Sequence, residues 1–199
     1  MSRALQNTVT ITEGRQKVLE PLVAYIFSKS QKGELVKLTF ICTHNSRRSH
    51  FGQIWAQVSA DYFGIEAQTF SGGTEATAFN PRSVAAARRA GFSIPEADGP
   101  NPVYEVRYSA EKSEMELFSK KYDEQPNPNE QFGAIMTCDS ANEACPVIHG
   151  ADVRLPILYK DPKEADDTPF EGERYDERCF QIATEMMYVM GKVAAKISA

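Results

Sequence analysis

The chain has 199 residues, with 22 Lys and Arg against 27 Asp and Glu, giving a formal net charge of −5. The acid excess argues against a nucleic-acid binder, and no apolar run approaches the ~18 residues that a membrane span needs. An apolar fraction of 42% with 25% charged residues is that of an ordinary globular protein, and one domain over 1–199 is expected. The first seven residues lack the apolar core of a signal peptide, and four cysteines are too few for a disulfide scaffold. Both point to a cytoplasmic chain whose thiols are reduced.

Residues 1–34 read as an N-terminal helical extension to a domain over 35–199. Thr12 or Glu13 opens a helix with Val18, Leu22, Tyr25 and Ile26 on one face, and Pro21 is expected to kink or restart it. The first strand is Leu35–Ile41, stopping at Cys42. A polar stretch, Thr43 to Ser49, leads into a helix with Phe51, Ile54, Trp55, Val58 and Tyr62 on its apolar face and Gly64 as its stop. A second strand, Ala67–Phe70, is closed by Ser71-Gly72-Gly73-Thr74. Asn80 as N-cap, Pro81 at the first position and Gly91 at the end bracket the next helix. Around 94–131 lies an insert, in which Val103–Tyr108 and Met115–Ser119 read as a hairpin or as pieces of helix, the hairpin being preferred, and Gln125–Asn129 as a connection. Two further strands follow, Phe132–Thr137 ending at Cys138 and Val153–Leu158. The charged stretch Asp161–Arg174 reads as a solvated loop. The last helix carries Tyr175, Cys179, Ile182, Met186, Val189, Val193 and Ile197 as its apolar stripe.

Strands alternating with helices predict an α/β fold, a doubly wound four-stranded parallel sheet flanked by helices. Such sheets bind ligands beyond the carboxyl ends of their strands. Cys42, Ser71, Cys138 and Asp161 each lie past a predicted strand end. Parallel strands would gather all four on one edge.

Cys42 and Arg48 are six residues apart, with Ser49 next. A loop closing onto a helix N-terminus turns backbone N–H groups inward and cradles an anion. Thr43, His44, Asn45, Ser46, Arg47 and Ser49 are therefore candidate oxyanion ligands. The same cradle favours a thiolate at Cys42, the form that acts as a nucleophile. Arg48 can grip two oxygens of a tetrahedral oxyanion at once. Ser49 can donate to the sulfur, and Asn45 can hold the loop in shape. His44 and His50 flank the loop and would tune its charge. Breaking a bond to oxygen needs a proton for the leaving group, and Asp161, stiffened by Pro162, is the candidate donor.

Cys138 and Cys145 are seven residues apart. On an intact helix that spacing is about 10.5 Å, whereas a disulfide needs Cα atoms within about 7 Å. A Cys138–Cys145 bond would therefore require the segment to unwind. Cys179 belongs to an apolar stripe and reads as core. Cys138, Cys145 and His149 are too widely spaced for a zinc site and lack a fourth ligand, so no metal is expected.

These residues resemble the low-molecular-weight protein tyrosine phosphatase superfamily, and more closely its thioredoxin-coupled arsenate reductases. Phe40 to Ser49 is similar to their nucleophile loop, with His44 where glycine and Arg47 where cysteine is common. Ser71-Gly72-Gly73-Thr74 with Asn80-Pro81 resembles their second strand-to-helix turn. Cys138 to Pro146 resembles the reductase redox segment, and Lys160-Asp161-Pro162 the general-acid loop. The resemblance covers about residues 36–92 and 132–197. It implies a thiol relay in which Cys42 attacks arsenate held by Arg48 while Asp161 protonates the leaving hydroxyl. Cys138 then attacks Cys42, and Cys145 attacks Cys138. It implies no tightly bound cofactor, with reducing equivalents drawn from thioredoxin or a similar thiol donor. The alternative is a phosphatase for phosphotyrosine or small phosphoesters, using Cys42, Arg48 and Asp161 alone.

Overall fold

The computed structural model describes residues 2–199, and Met1 lies outside them. Helix α1 is Ser2–Asn7, and a 3-10 turn at Thr8–Thr10 leads to α2, Glu13–Gln31. Thr12 caps α2, its hydroxyl accepting from the Arg15 N–H at 3.3 Å. The helix runs unbroken through Pro21, contrary to the expected restart. Pro21 and Lys17 are both exposed, so the carbonyl left without a helical partner faces water. Val18 is 39% exposed and does not belong to the buried face. That face is Leu19, Leu22, Val23 and Ile26, with Tyr25 beside it.

Strand β1, Val36–Cys42, is followed by α3, Arg48–Phe63, then β2, Ala67–Gly73, and α4, Pro81–Arg89. Asn80 caps α4 through its side-chain oxygen, as its sequence context predicts. Of the two readings of the insert the structure has the hairpin, β3 at Tyr104–Val106 antiparallel to β4 at Met115–Leu117. Then come β5, Phe132–Met136, α5, Asp139–Ala144, β6, Ala151–Pro156, and α6, Glu171–Ile197. The main sheet has the order β2-β1-β5-β6, and every neighbouring pair is parallel. β5 is buried throughout and β1 everywhere but Lys37, as befits central strands covered on both faces.

α6 is the spine of the helical layers: α1, α2, α3 and α4 all pack on it. Its stripe is buried from Tyr175 to Val193, whereas Ile197, the last helical residue, is 51% exposed. Tyr62 is likewise 48% exposed at the end of α3. α2 also reaches the sheet, where Tyr25 lies over Gly133. A Cβ at Gly133 would come within 2.9 Å of the Tyr25 ring, so only glycine lets helix and strand approach this closely.

The segment Asp161–Arg174 is not a solvated loop throughout. Pro162–Ala165 forms a 3-10 turn in which Pro162 and Ala165 are buried, and α6 begins at Glu171. Arg15 of α2 braces this region from behind. Its Nε and Nη2 donate to the two carboxylate oxygens of Glu185 at 2.9 and 2.7 Å. Glu185 is 3% exposed and also accepts from the Tyr159 hydroxyl at 2.7 Å. Burial, with the Glu185 charge beside it, holds the Tyr159 phenol well above its usual range, so it remains a donor.

Removing one partner of such a pair strands the other charge in the interior. Arg15→Met is therefore expected to lower unfolding free energy by about 2–3 kcal/mol in urea titrations. A loss below about 0.5 kcal/mol would mean that Tyr159 and its neighbours satisfy Glu185 without the guanidinium.

Candidate active site at the carboxyl edge of the sheet

Parallel β1 and β5 bring Cys42 and Cys138 to the same edge, one closing β1 and the other two residues past β5. Asp161 arrives there because pairing continues beyond β6. The N–H groups of Ile157 and Tyr159 donate to Met136 and Thr137 carbonyls at 3.0 and 3.1 Å. Ser71 is the exception. It lies inside β2, opposite Phe40, and is buried.

The loop between Cys42 and Arg48 is shaped by bonds to its outer side. The Cys42 and Thr43 carbonyls accept from the Thr74 and Glu75 N–H groups at 3.1 and 2.8 Å, and the Ser46 carbonyl accepts from Asn80 at 2.9 Å. The His44 carbonyl accepts from the Ser119 hydroxyl at 2.9 Å. In a planar trans peptide the next N–H points opposite its carbonyl, so these bonds turn the loop's N–H groups inward. The N-terminus of α3 adds its own free N–H groups and dipole. Gly73 makes room for this packing. A Cβ there would lie 2.2 Å from the Glu75 carbonyl oxygen and 2.7 Å from the Asn45 nitrogen.

Asn45 has a positive φ of 43°, a left-handed conformation that asparagine tolerates better than most residues. Its fully buried amide makes two bonds. Oδ1 accepts from the Lys120 N–H at 2.9 Å, and Nδ2 donates to Ser49 Oγ at 2.9 Å. The Lys120 backbone can only donate, so the amide orientation is fixed by the network. Ser49 Oγ accepts from Asn45 and lies 3.1 Å from Cys42 Sγ, so its proton is free to point at the sulfur.

Arg48 is oriented by the Tyr159 carbonyl, which accepts from Nη1 at 2.9 Å, and by Asp161 Oδ2, which is 2.6 Å from Nη2. Its Nε is buried and makes no hydrogen bond among the described residues. Asp161 also caps its own turn, accepting from the Lys163 N–H at 3.1 Å. Arg47 turns away from the loop interior. Its Nε donates to the Tyr175 hydroxyl at 2.9 Å, and its Nη2 lies 3.7 Å from Asp166. Tyr175 in turn donates to Asp166 at 2.8 Å, and its pKa is pushed up to about 12 by burial and that bond.

The two histidines differ from the expected pair of charge-tuning groups. His50 is fully buried, and burial beside Lys120 holds it well below the usual histidine range, so it is neutral at pH 7. It is bonded to Ser71 at 3.2 Å and stacked 4.1 Å from Phe79. His44 is half exposed and lies 3.6 Å from Glu75.

All four cysteines are free thiols. Cys138 Sγ lies 3.4 Å from the Thr43 hydroxyl, the residue after Cys42, and both cysteines belong to one buried cluster. Cys138 caps α5, accepting from the Ala141 N–H at 3.4 Å, and Cys145 stands at the other end of that helix. Cys179 is core, with the Trp55 indole donating to its sulfur at 3.2 Å, and desolvation pushes its thiol up to about 12.

No protein-family model matches the chain. In sequence it is similar to an arsenate reductase of Bacillus licheniformis, at 27% identity over 139 residues, covering 70% of this chain and 83% of that protein. It is equally similar to an arsenate reductase of Halalkalibacterium halodurans, at 27% over 132 residues, covering 66% and 78%. In structure it matches a low-molecular-weight phosphotyrosine phosphatase of Vibrio cholerae O395 with a TM-score of 0.54 and 13% identity, over 78% of this chain and 95% of that one. A low-molecular-weight protein tyrosine phosphatase of T. tengcongensis matches with a TM-score of 0.53 and 15% identity, over 79% and 99%. The chain has the low-molecular-weight protein tyrosine phosphatase fold.

Several residues around this loop carry no signal in the sequence. Lys120 sits in an insert without a motif, yet it is 3% exposed. Its ammonium donates to the Phe118 carbonyl at 3.3 Å and lies 4.5 Å from that ring's centre. Tyr159 acts through its carbonyl, which no side-chain pattern reports. Among the described residues no helix is long and apolar enough to cross a membrane.

Desolvation lowers the Lys120 pKa from 10.5 to about 8. Between those values the unfolded chain holds the extra proton, so this lysine makes stability rise with pH there. Below pH 8 its burial is a full penalty. Lys120→Met is expected to be more stable than the parent by about 2 kcal/mol at pH 7, with the gap closing toward pH 10.5. Paired urea titrations at pH 7 and 10 check this, and a constant gap would contradict it.

Proposed function

We propose that the protein is an arsenate reductase that works by a thiol relay. The observation that carries this reading is the pair Cys138 and Cys145 in the segment beside the nucleophile loop, with Cys138 held against Thr43. A phosphatase needs one thiol at this edge, and a relay needs three. The sequence similarity to two arsenate reductases supports the same choice.

In this reading the inward N–H groups, the α3 N-terminus and Arg48 bind the oxyanion. The anion competes with Asp161 for Arg48 Nη2, and Arg48 Nε supplies a further donor. The released Asp161 carboxyl then faces the anion's oxygens. Cys42 thiolate attacks arsenic, and hydroxide leaves as water with a proton from Asp161. Cys138 thiolate attacks Cys42 Sγ. The electron pair of the sulfur–arsenic bond stays on arsenic, releasing arsenite and leaving a Cys42–Cys138 disulfide. Cys145 thiolate attacks Cys138 Sγ, freeing Cys42 and moving the disulfide to Cys138–Cys145. A thioredoxin-type dithiol reduces that bond. Oxyanion, protons and two electrons then balance: arsenate and two thiols give arsenite, a disulfide and water.

A second reading, hydrolysis of a phosphoester through a cysteinyl-phosphate, uses Cys42, Arg48 and Asp161 only. The specific observation in its favour is an exposed aromatic, Phe170, which follows the acid turn and precedes α6 with 63% of its surface exposed. Residues 163–169 themselves supply no aromatic side chain.

Cys138→Ser and Cys145→Ser separate the two. Each is expected to abolish multiple-turnover arsenate reduction with a thioredoxin system, while Asp161→Asn lowers it by about 10²-fold. Full turnover in either cysteine variant would defeat the relay. Aryl phosphate hydrolysis in a parent enzyme that reduces no arsenate would favour the phosphatase.

A further inference from the structure

The relay proposed above needs α5 to change shape, and beyond its packing on β1 and β5 one side chain from a neighbouring strand bonds its carboxyl end. α5 is six residues long, with Cys138 as its N-cap and Cys145 as its C-cap. Its ends are closed by two backbone bonds. The Asn142 N–H donates to the Cys138 carbonyl at 3.0 Å and the Cys145 N–H to Ala141 at 3.1 Å. A helix this short is marginal by itself.

Arg154, on β6, grips its carboxyl end. Nε donates to the Cys145 carbonyl at 2.9 Å, and Nη2 donates to both the backbone carbonyl and the side-chain oxygen of Asn142, the latter at 2.7 Å. These are the carbonyl end groups that a helix leaves unpaired, and a cation there also complements the helix dipole. The fork of the guanidinium reaches residues 142 and 145 together, which a lysine could not do.

We infer that Arg154 is a positioning residue that latches α5 in its helical, dithiol form and sets how readily Cys138 and Cys145 pair. The inference rests on the relay reading. Across the helix the two cysteines stand about 10 Å apart, and they must come within about 7 Å to bond. Every contact from Arg154 is made to the wound segment. Unwinding gives up all three, so the latch favours the dithiol over the disulfide. It keeps Cys138 a thiol at the nucleophile loop until Cys42 has reacted.

The test uses the full chain carrying Cys42→Ser, so that Cys138 has only Cys145 to pair with. Protein is equilibrated in buffers of oxidised and reduced dithiothreitol, alkylated, and read by mass spectrometry. Two thiols give two electrons and two protons to the oxidised reagent, one S–S bond forming as another opens. Arg154→Met is expected to raise the equilibrium constant for the Cys138–Cys145 bond about tenfold, a potential about 30 mV more negative. Arg154→Lys is expected to recover part of the shift. Asn142→Ser, which removes one contact at nearly equal helix propensity and leaves Arg154 in place, gives a smaller shift of the same sign and carries the test if Arg154→Met does not fold. An unchanged potential, or one moved to more oxidising values, overturns the latch. Arsenate turnover in the protein with Cys42 intact separates the two readings. Turnover with no shift keeps the relay and removes the latch, whereas a shift without turnover keeps the latch and removes the relay.

Discussion

The buried amide of Asn45 is the interaction on which the geometry of the anion loop depends. It sits in a left-handed conformation with one end on the Lys120 backbone and the other on Ser49. Only a group that both accepts and donates can serve those two neighbours together. Fixing the amide fixes the Ser49 oxygen as an acceptor and directs its proton toward Cys42. The outward carbonyl bonds do the rest, because a peptide whose oxygen is turned out must turn the following N–H in. The loop is thus preorganised for negative charge before any anion arrives, which avoids reorganising dipoles during a reaction.

Around that loop the protein spends buried polar groups on orientation. Arg48 is held by the Tyr159 carbonyl, and Tyr159 is held by Glu185, which is held by Arg15 of α2. Arg47 joins the loop to Tyr175 and Asp166 and so to the turn that bears Asp161. Two arginines adjacent in sequence therefore do different work. Arg48 bonds the Tyr159 carbonyl and Asp161, and Arg47 joins the acid turn to the loop. Lys120 shows what such a site tolerates: a buried ammonium on one carbonyl and one ring, with its pKa depressed by desolvation.

The segment from Cys138 to Cys145 is built on a different principle. β1, α3 and α6 are locked into the core, whereas α5 is a single short helix resting on β1 and β5. It buries Ala141 against the sheet, and Arg154 bonds its carboxyl end. Elements held by a few polar contacts open at low free energy, while packed ones do not. A thiol relay needs one rigid partner and one that moves, and the two kinds of element stand side by side at this edge.

Much of this was legible in the chain. The run from Val36 to Ile41, the polar loop and the helix after it are set by local composition, as are the Asn80-Pro81 start of α4 and the parallel α/β order. The Cys42, Arg48 and Ser49 pattern marks the candidate loop, and Cys138 and Cys145 stand at the two ends of α5. The readings that failed did so where burial depends on neighbours far along the chain. Leu19 rather than Val18 faces the core, Ser71 lies within its strand, and His50 is a neutral core residue. The sequence by itself determined the local conformations and the chemistry available, because these follow from residue type and short spacing. Only the tertiary structure decided which groups meet. Lys120 reaches Asn45 across 75 residues and Asp161 reaches Arg48 across 113. Contacts at that separation are fixed by how strands stack into one sheet edge, which no local pattern encodes.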